Sequence, residues 1–169
     1  MPSKKSESGS AGNRRALLQA SLLGISGAGL LAAQSASPWT PKKQAPGRNP
    51  AQANSGALLS NCIRSGHLLF VSGISGWYPE RRKEPGDAAV QMRSALTTMK
   101  ETLERAGSSM DNVLKVTVAL VDPENNFEPM NEGYKGFFSD PPPVRSFFGA
   151  TGFRRKGPLM QVDCIAYVD

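Results

Sequence analysis

The sequence predicts an α+β fold, in which two helices alternate with strands that can pair as hairpins. Short apolar runs bounded by glycine or turn residues recur between residues 59 and 169, and two segments there show apolar residues at helical spacing. Their order along the chain is strand, strand, helix, strand, helix, strand, strand. A chain of 169 residues is long enough for one such core and too short for two domains of ordinary size.

The first strand pair and the first helix are the clearest elements. Leu68 to Gly73 is a short apolar strand, and Leu59 to Ile63 can pair with it across the turn at Ser65-Gly66. The first helix is predicted to begin after Asp87, a favourable N-cap, and to end at Gly107. Its apolar stripe recurs at intervals of four, three and four, at Met92, Leu96, Met99 and Leu103. This spacing indicates that the methionines are core residues.

The second half of the domain continues the alternation. Asn112 to Val121 has the pattern of a half-buried strand. Its predicted apolar face holds Leu114, Val116, Val118 and Leu120. A second helix follows from the spacing of Phe127, Met130, Tyr134 and Phe137 or Phe138, with Pro129 in its first turn, and it must end before Pro141-Pro142-Pro143. Val144 to Ala150 and Leu159 to Val168 complete the sheet as strands.

The positive charge of the chain is concentrated ahead of the predicted domain. Residues 1–35 hold four basic residues against one acidic residue, and residues 36–58 add three basic residues and no acid. Residues 59–169 hold 13 residues of each sign, so the +6 net charge lies outside the domain. A neutral domain has no net field with which to hold phosphates, and we expect no nucleic-acid partner.

Side chains that commonly carry metal or nucleophilic catalysis are sparse. His67, the single histidine, falls in a predicted surface turn, with no cysteine or carboxylate at a metal-ligand spacing. One histidine so placed excludes Ser-His-Asp and Cys-His machinery, and no glycine-rich phosphate loop follows a strand. Cys62 and Cys164 could pair in an oxidising compartment, but both lie in apolar runs that favour buried free thiols.

The amino-terminal segment has the layout of an export signal. Four basic residues precede an uncharged run from Ala16 to Ala33, and Asn13-Arg14-Arg15-Ala16 resembles the twin-arginine motif. Small residues in Ala33-Gln34-Ser35 allow cleavage ahead of Ala36. We therefore predict a signal over residues 1–35, a Pro-rich linker over 36–58 and the domain over 59–169.

The expected product is an exported, periplasmic protein without stable membrane association after signal cleavage, or a cytoplasmic one if the signal is not used. An uncleaved anchor and a mitochondrial presequence are the alternatives. The 18 residues from Ala16 to Ala33 can just span a bilayer, but glycines and serines depress their hydropathy. The arginines also precede the apolar run instead of spreading along a helical face.

Four segments of residues 59–169 resemble the RidA (YjgF-like) family. The first is Gly66-x-Leu68-Leu69-Phe70-Val71-Ser72-Gly73, and the second joins Gln91 to Ala106-Gly107. The third runs from Val113 through Asn126-Phe127 to Asn131-x-x-Tyr134-x-x-Phe137-Phe138. The fourth joins Pro143-Val144-Arg145-Ser146 with Val162-Asp163-Cys164-Ile165-Ala166. Four matches in this order and at these separations are hard to obtain by chance.

The resemblance implies a chorismate-mutase-like mixed sheet with two helices on one face, a homotrimer around a central barrel, and ligand clefts between subunits. It further implies hydrolysis of 2-imino acids, such as 2-iminopropanoate and 2-iminobutanoate, to 2-oxo acids and ammonia. Neither a metal nor an organic cofactor is expected. The expected partners are a small carboxylate or imino-acid ligand and the other subunits.

An imino acid offers a carboxylate and a polarised C=N carbon, so its site needs a planar cation and a held water. The resemblance implies Arg145 as the carboxylate clamp, with Phe147 on the same strand face; the residue pattern alone favours a surface arginine paired with an acid of an adjoining strand or subunit. Ser72, Gly73 and Asn131 match pocket-wall positions of the family, Gly73 through its backbone. Alternatively, these three residues serve only in turns and helix caps.

Two positions depart from the family pattern. Gln161 stands where deaminase-competent members have a glutamate; its amide can orient a water but cannot take its proton. Leu59 stands where many members have a tyrosine at the pocket mouth. A non-catalytic trimer that binds small carboxylic (2-oxo) acids is therefore the alternative function. Trp77 and Tyr78 are expected either to cover a cleft or to fasten their loop to the helix.

Overall fold

A six-stranded sheet organises the part of the chain that the computed structural model describes, residues 42–48 and 56–168. Its strands are β1 (Lys43–Gln44), β2 (Cys62–Ser65), β3 (Leu68–Ser75), β4 (Val113–Val121), β5 (Val144–Ala150) and β6 (Met160–Tyr167). The helices are α1 (Ala88–Arg105) and α2 (Pro123–Tyr134). The strand order is β1-β2-β3-β6-β4-β5, with β4 and β5 parallel and the other pairs antiparallel. The predicted α+β class is confirmed, whereas the predicted signal over residues 1–35 lies outside the described residues.

Part of the predicted linker joins the sheet. Lys43 pairs with Ser65 and Gln44 with Arg64, which makes β1 the edge strand next to β2. The linker prediction rested on prolines and on the scarcity of large apolar residues. A two-residue edge strand is held by backbone hydrogen bonds alone, so composition carries no signal for it.

Both helices pack on one face of the sheet. Asp87 caps α1 as predicted, because its Oδ1 accepts a hydrogen bond of 2.8 Å from the Val90 backbone N. The predicted stripe of α1 is fully buried at Met92, Leu96, Met99 and Leu103. α2 crosses α1 closely at Gly133, where an added Cβ would lie 2.4 Å from the Ala89 carbonyl oxygen. No helix in the described residues is long and apolar enough to cross a membrane.

The structure corrects two details of the predicted elements. α2 starts at Pro123, so Pro129 lies inside the helix and not in its first turn. Met130, fully buried in the core, holds this stretch in place although Pro129 cannot donate to the preceding turn. Leu114 is 47% exposed, because a register shift between Val113 and Lys115 removes it from the buried face of β4.

Both cysteines are buried free thiols on the helix-covered face, as their apolar surroundings predicted. Cys62 pairs with Val71 of β3, and Val71 pairs with Cys164 of β6. Two strand spacings, about 10 Å, therefore separate the cysteines, beyond the reach of a disulfide. Burial raises the pKa of both thiols, that of Cys164 to about 12, where Cys62 and Asp163 add to the effect.

Candidate functional site

Arg145 of β5 is held against one face of α2. Its Nη2 donates a hydrogen bond of 2.8 Å to Asn131 Oδ1. The guanidinium carbon lies 4.7 Å from the centre of the Tyr134 ring and 6.0 Å from that of Phe127. Residues 127, 131 and 134 share a helix face because of their spacing, so α2 presents an amide flanked by two rings. Stacking and the hydrogen bond orient the planar cation, as bidentate binding of a carboxylate requires.

No acid neutralises Arg145 within the described residues. The ion pairs there join Arg81 to Glu101, Lys100 to Glu104 and Lys135 to Glu132. Asn131 is a neutral partner, and it accepts from only one of the five N–H donors of a guanidinium. Pairing with an acid of an adjoining strand of the same chain is thus not observed, and donors remain for an anionic ligand.

Apolar rings surround the cation on its strand. Phe147 lies on the same face of β5 as Arg145, as the alternation predicted, and it is 46% exposed. Its ring centre lies 4.8 Å from that of Phe127, with the planes tilted by 43°. Phe148 points to the opposite face and is 54% exposed. The surroundings of Arg145 are therefore apolar and partly exposed. Apolar surroundings strengthen a charged hydrogen bond that the guanidinium makes with a ligand.

Tyr134 contributes its ring to the site and not its hydroxyl. The hydroxyl oxygen is buried and has no hydrogen-bond partner in the described residues. Burial raises the pKa of Tyr134 to about 12, although the positive charge of Arg145 opposes the rise. The phenol is consequently neutral at ordinary pH and stacks on Arg145 as an uncharged ring.

Gln161 and Gly73 form a second group. A bulge in β3 sets Ser72 and Gly73 together opposite Asp163, because Val71 pairs with Cys164 and Ile74 with Val162. The backbone N of Ser72 instead donates to the Asn61 carbonyl at 2.8 Å. The Gln161 side chain covers Gly73 so closely that an added Cβ there would lie 1.7 Å from Nε2. Only glycine at residue 73 leaves room for the amide in this position.

Arg145 and Gln161 lie on opposite faces of the sheet within one chain. Arg145 is in register with Val116, whose side chain is buried beneath the helices. Gln161 is in register with Ala119, which pairs on its other side with Phe148. Residues in register share a face and successive residues alternate, so the two predicted catalytic groups diverge.

The predicted site residues therefore fall into two halves. The cationic half holds Arg145, Asn131 and Phe147. The amide half holds Gln161, Gly73 and Ser72. Leu59 belongs to neither within one chain: it is 69% exposed and lines a cavity of about 280 Å³ with residues near β1.

Trp77 and Tyr78, which were expected either to cover a cleft or to fasten their loop, line a cavity of about 260 Å³ beside Gln161 whose other lining residues sequence reasoning missed. Trp77, Tyr78 and Phe153 line it together with Arg154 and Arg155. The adjacent arginines were visible in the sequence, but the balanced charge of the whole domain hid their local excess. In the described residues, no group of three or more His, Cys, Asp or Glu side chains is placed to hold a metal ion.

Known proteins resemble this chain over the residues that build both halves. It is 32% identical over 120 residues to the mitochondrial protein mmf2 of Schizosaccharomyces pombe, covering 70% of this chain and 94% of that protein. It is 32% identical over 108 residues to the 2-iminobutanoate/2-iminopropanoate deaminase of Bos taurus, covering 63% and 77%. The crystal structure of RidA from an Antarctic Psychrobacter superimposes with a TM-score of 0.58 at 27% identity, over 67% of this chain and 90% of that one. The family model described as endoribonuclease L-PSP matches residues 50–168, and this chain belongs to that family, the RidA (YjgF) family.

Proposed function

We propose that the protein hydrolyses reactive 2-imino acids to 2-oxo acids and ammonia, with Arg145 holding the substrate carboxylate. The observation that carries the proposal is an arginine without an acidic partner in the described residues, oriented by Asn131 and stacked on Tyr134. Relatives named 2-iminobutanoate/2-iminopropanoate deaminase support the reaction class. The 2-imino acid is the substrate that joins a carboxylate to a hydrolysable C=N bond.

The proposed active unit is a homotrimer, in which the cationic half of one subunit meets the amide half of its neighbour. Support comes from the opposite orientations of Arg145 and Gln161, which one chain cannot bring to one substrate. The sheet face that carries Gln161 also exposes large apolar side chains, at Leu68, Phe70 and Phe148. Exposed apolar area of this kind is typical of surfaces that bury against another subunit.

The chemistry needs an addition and an elimination. Water attacks the C=N carbon, a C–O bond forms, and the π electrons move to nitrogen, which takes up a proton. The resulting carbinolamine then loses its hydroxyl proton as the C–N bond breaks and ammonia leaves. Arg145 fixes the carboxylate, and the Gln161 amide oxygen can accept a hydrogen bond from the water. The proposed reaction uses no cofactor, so a chelator should leave its rate unchanged.

Gln161 favours a second candidate, a trimer that binds 2-oxo acids without turnover. An amide cannot remove the proton of the attacking water, and the absence of a general base typically costs about a hundred- to ten-thousand-fold in rate. A Gln161→Glu substitution separates the two candidates. A large gain in hydrolysis over a negligible wild-type rate would identify a binding scaffold that lacks only the base.

The direct test generates 2-iminopropanoate in the presence of the purified full chain by oxidising alanine with an amino acid oxidase. Trapping with semicarbazide then reports the remaining imine. We expect faster imine decay, and a loss of about a hundredfold in Arg145→Ala. Lys100→Ala, which removes an exposed cation on α1, serves as the control. Unchanged imine decay with tight calorimetric binding of pyruvate would select the second candidate, and neither effect would exclude both.

We also propose that the protein is exported, on the basis of the amino-terminal layout alone. Cell fractionation and sequencing of the mature amino terminus test this. We expect a periplasmic protein that begins near Ala36, and an intact Met1 in the cytosol would contradict the proposal.

A further inference from the structure

The cavity beside Gln161 has walls of two kinds. Three aromatic residues, Trp77, Tyr78 and Phe153, supply apolar surface. Arg154 and Arg155 supply positive charge, and Gln161 of the amide half also lines the cavity. Its volume of about 260 Å³ exceeds what one or two methyl groups would fill.

Contacts with the rest of the domain hold part of the cavity lining in place. The Trp77 ring packs on Gly157, where an added Cβ would lie 2.5 Å from Cζ3, and its Nε1 donates to the Arg82 carbonyl at 2.9 Å. Gln91 of α1 is fully buried and clamps the loop that leads into β6. Its Nε2 donates to the Gly157 carbonyl at 3.0 Å, and its Oε1 accepts from the Leu159 N at 2.8 Å. These contacts thus fix the Trp77 ring and the backbone on both sides of Pro158, while Arg154 and Arg155 are exposed.

The arginines of the cavity are not satisfied by the protein. Neither Arg154 nor Arg155 makes a hydrogen bond or an ion pair with another described residue. Glu80 is the single carboxylate among the residues that line the cavity. Two planar cations against one acid leave a local excess of positive charge beside an apolar wall, which suits a short carbon chain that ends in an anion.

We propose that this cavity receives the substrate side chain, and that the preferred substrates are dicarboxylic: 2-imino acids with an acidic side chain, and the corresponding 2-oxo acids. This inference rests on the proposed function, since it assigns the specificity of the same site. The aromatic wall packs on the methylene groups, and Arg154 and Arg155 bind the terminal carboxylate. Arg145 keeps the carboxylate next to the imine. A short aliphatic imino acid leaves the cavity empty.

Two measurements on the full chain test the assignment. Calorimetry compares 2-oxoglutarate with pyruvate, and hydrolysis compares kcat/KM for the imines generated from glutamate and from alanine. We expect the dicarboxylic member of each pair to be favoured about tenfold or more, as a charged hydrogen bond would give. In Arg154→Ala/Arg155→Ala both ratios should fall about tenfold, and Arg155→Glu should lower them further. Lys156→Ala removes the next cation of the same loop, which does not line the cavity, and should keep the wild-type ratios.

The outcomes separate this inference from the proposed function. Hydrolysis of the alanine imine with no preference for either dicarboxylic ligand would overturn the cavity assignment and leave the function standing. Preferential binding of 2-oxoglutarate that depends on Arg154 and Arg155, without turnover of any imine, would support the cavity and overturn the function. A preference that survives in the double variant, or that is lost equally in Lys156→Ala, would overturn the role of these arginines.

Discussion

The amide nitrogen of Gln161 lies where a side chain on Gly73 would begin, because a Cβ there would come within 1.7 Å of it. The bulge that sets Gly73 and Ser72 opposite Asp163 thus also provides the space that the Gln161 amide occupies. In the proposed reaction this amide places the water. The position of the Gln161 amide therefore depends on the absence of a side chain at Gly73 of the neighbouring strand.

Gly73→Ala should displace the Gln161 amide and slow imine hydrolysis about tenfold, since the water would lose its acceptor. Gln161 is exposed and can turn into solvent, so we expect the free energy of unfolding to change by less than about 1 kcal/mol. Imine decay and urea unfolding measure the two effects. The control is the same substitution in a Gln161→Ala background, where it should add nothing; a further loss there would show that Gly73 acts independently of the amide.

Arg145→Lys should keep the positive charge and lose about ten- to a hundredfold in kcat/KM, because an ammonium group cannot form the paired hydrogen bonds of a guanidinium. Asn131→Ala should produce a smaller loss, since it removes only the hydrogen bond that orients Arg145. Neither Arg145 nor Asn131 belongs to the buried core, so both variants should change the free energy of unfolding by less than about 1 kcal/mol. Full activity in Arg145→Lys would mean that charge alone suffices.

Gln91→Ala should destabilise the domain by about 2–4 kcal/mol, since it opens a space in the core and leaves buried backbone groups without partners. Gln91 donates to the carbonyls of Gly86 and Gly157 and accepts from the Leu159 N. Thr97→Ala, an exposed position on the same helix, is the matched control and should change stability by less than about 0.5 kcal/mol. Equal urea midpoints for the two variants would contradict the stabilising role of the Gln91 hydrogen bonds.

Tyr134 should make stability depend on pH in the alkaline range. Its pKa is raised to about 12 in the folded state, above its ordinary value of 10, so the folded protein holds this proton more tightly than the unfolded chain. The stabilisation is complete below pH 10 and is lost as the pH rises towards 12. The Cys164 thiol adds a loss of the same sign from pH 9 upwards. Tyr134→Phe should therefore show a shallower decline of unfolding free energy between pH 10 and 12, and an identical slope would contradict this account.

Local patterns predicted the elements well where burial is one-sided. The α1 stripe and its Asp87 cap are observed, and β5 begins and ends as predicted. Two features depend on distant strands, which local patterns do not describe: β1 requires pairing with β2, and the exposure of Leu114 follows from a register shift against β6. Strand alternation placed Arg145 and Phe147 correctly on one face of β5. It could not relate that face to the one that carries Gln161, because β4 lies between the two strands.

Because Arg145 and Gln161 lie on opposite faces of the sheet, mixtures of two inactive variants should behave differently from either variant alone. If each site draws its cation from one subunit and its amide from the next, Arg145→Ala and Gln161→Ala chains can repair one another. Co-assembled at equal amounts, they should form intact sites at about a quarter of the interfaces by random pairing, whereas either variant alone forms none. If imine hydrolysis recovers when the two variants are unfolded and refolded together, the subunits complement one another and each site is shared between two of them.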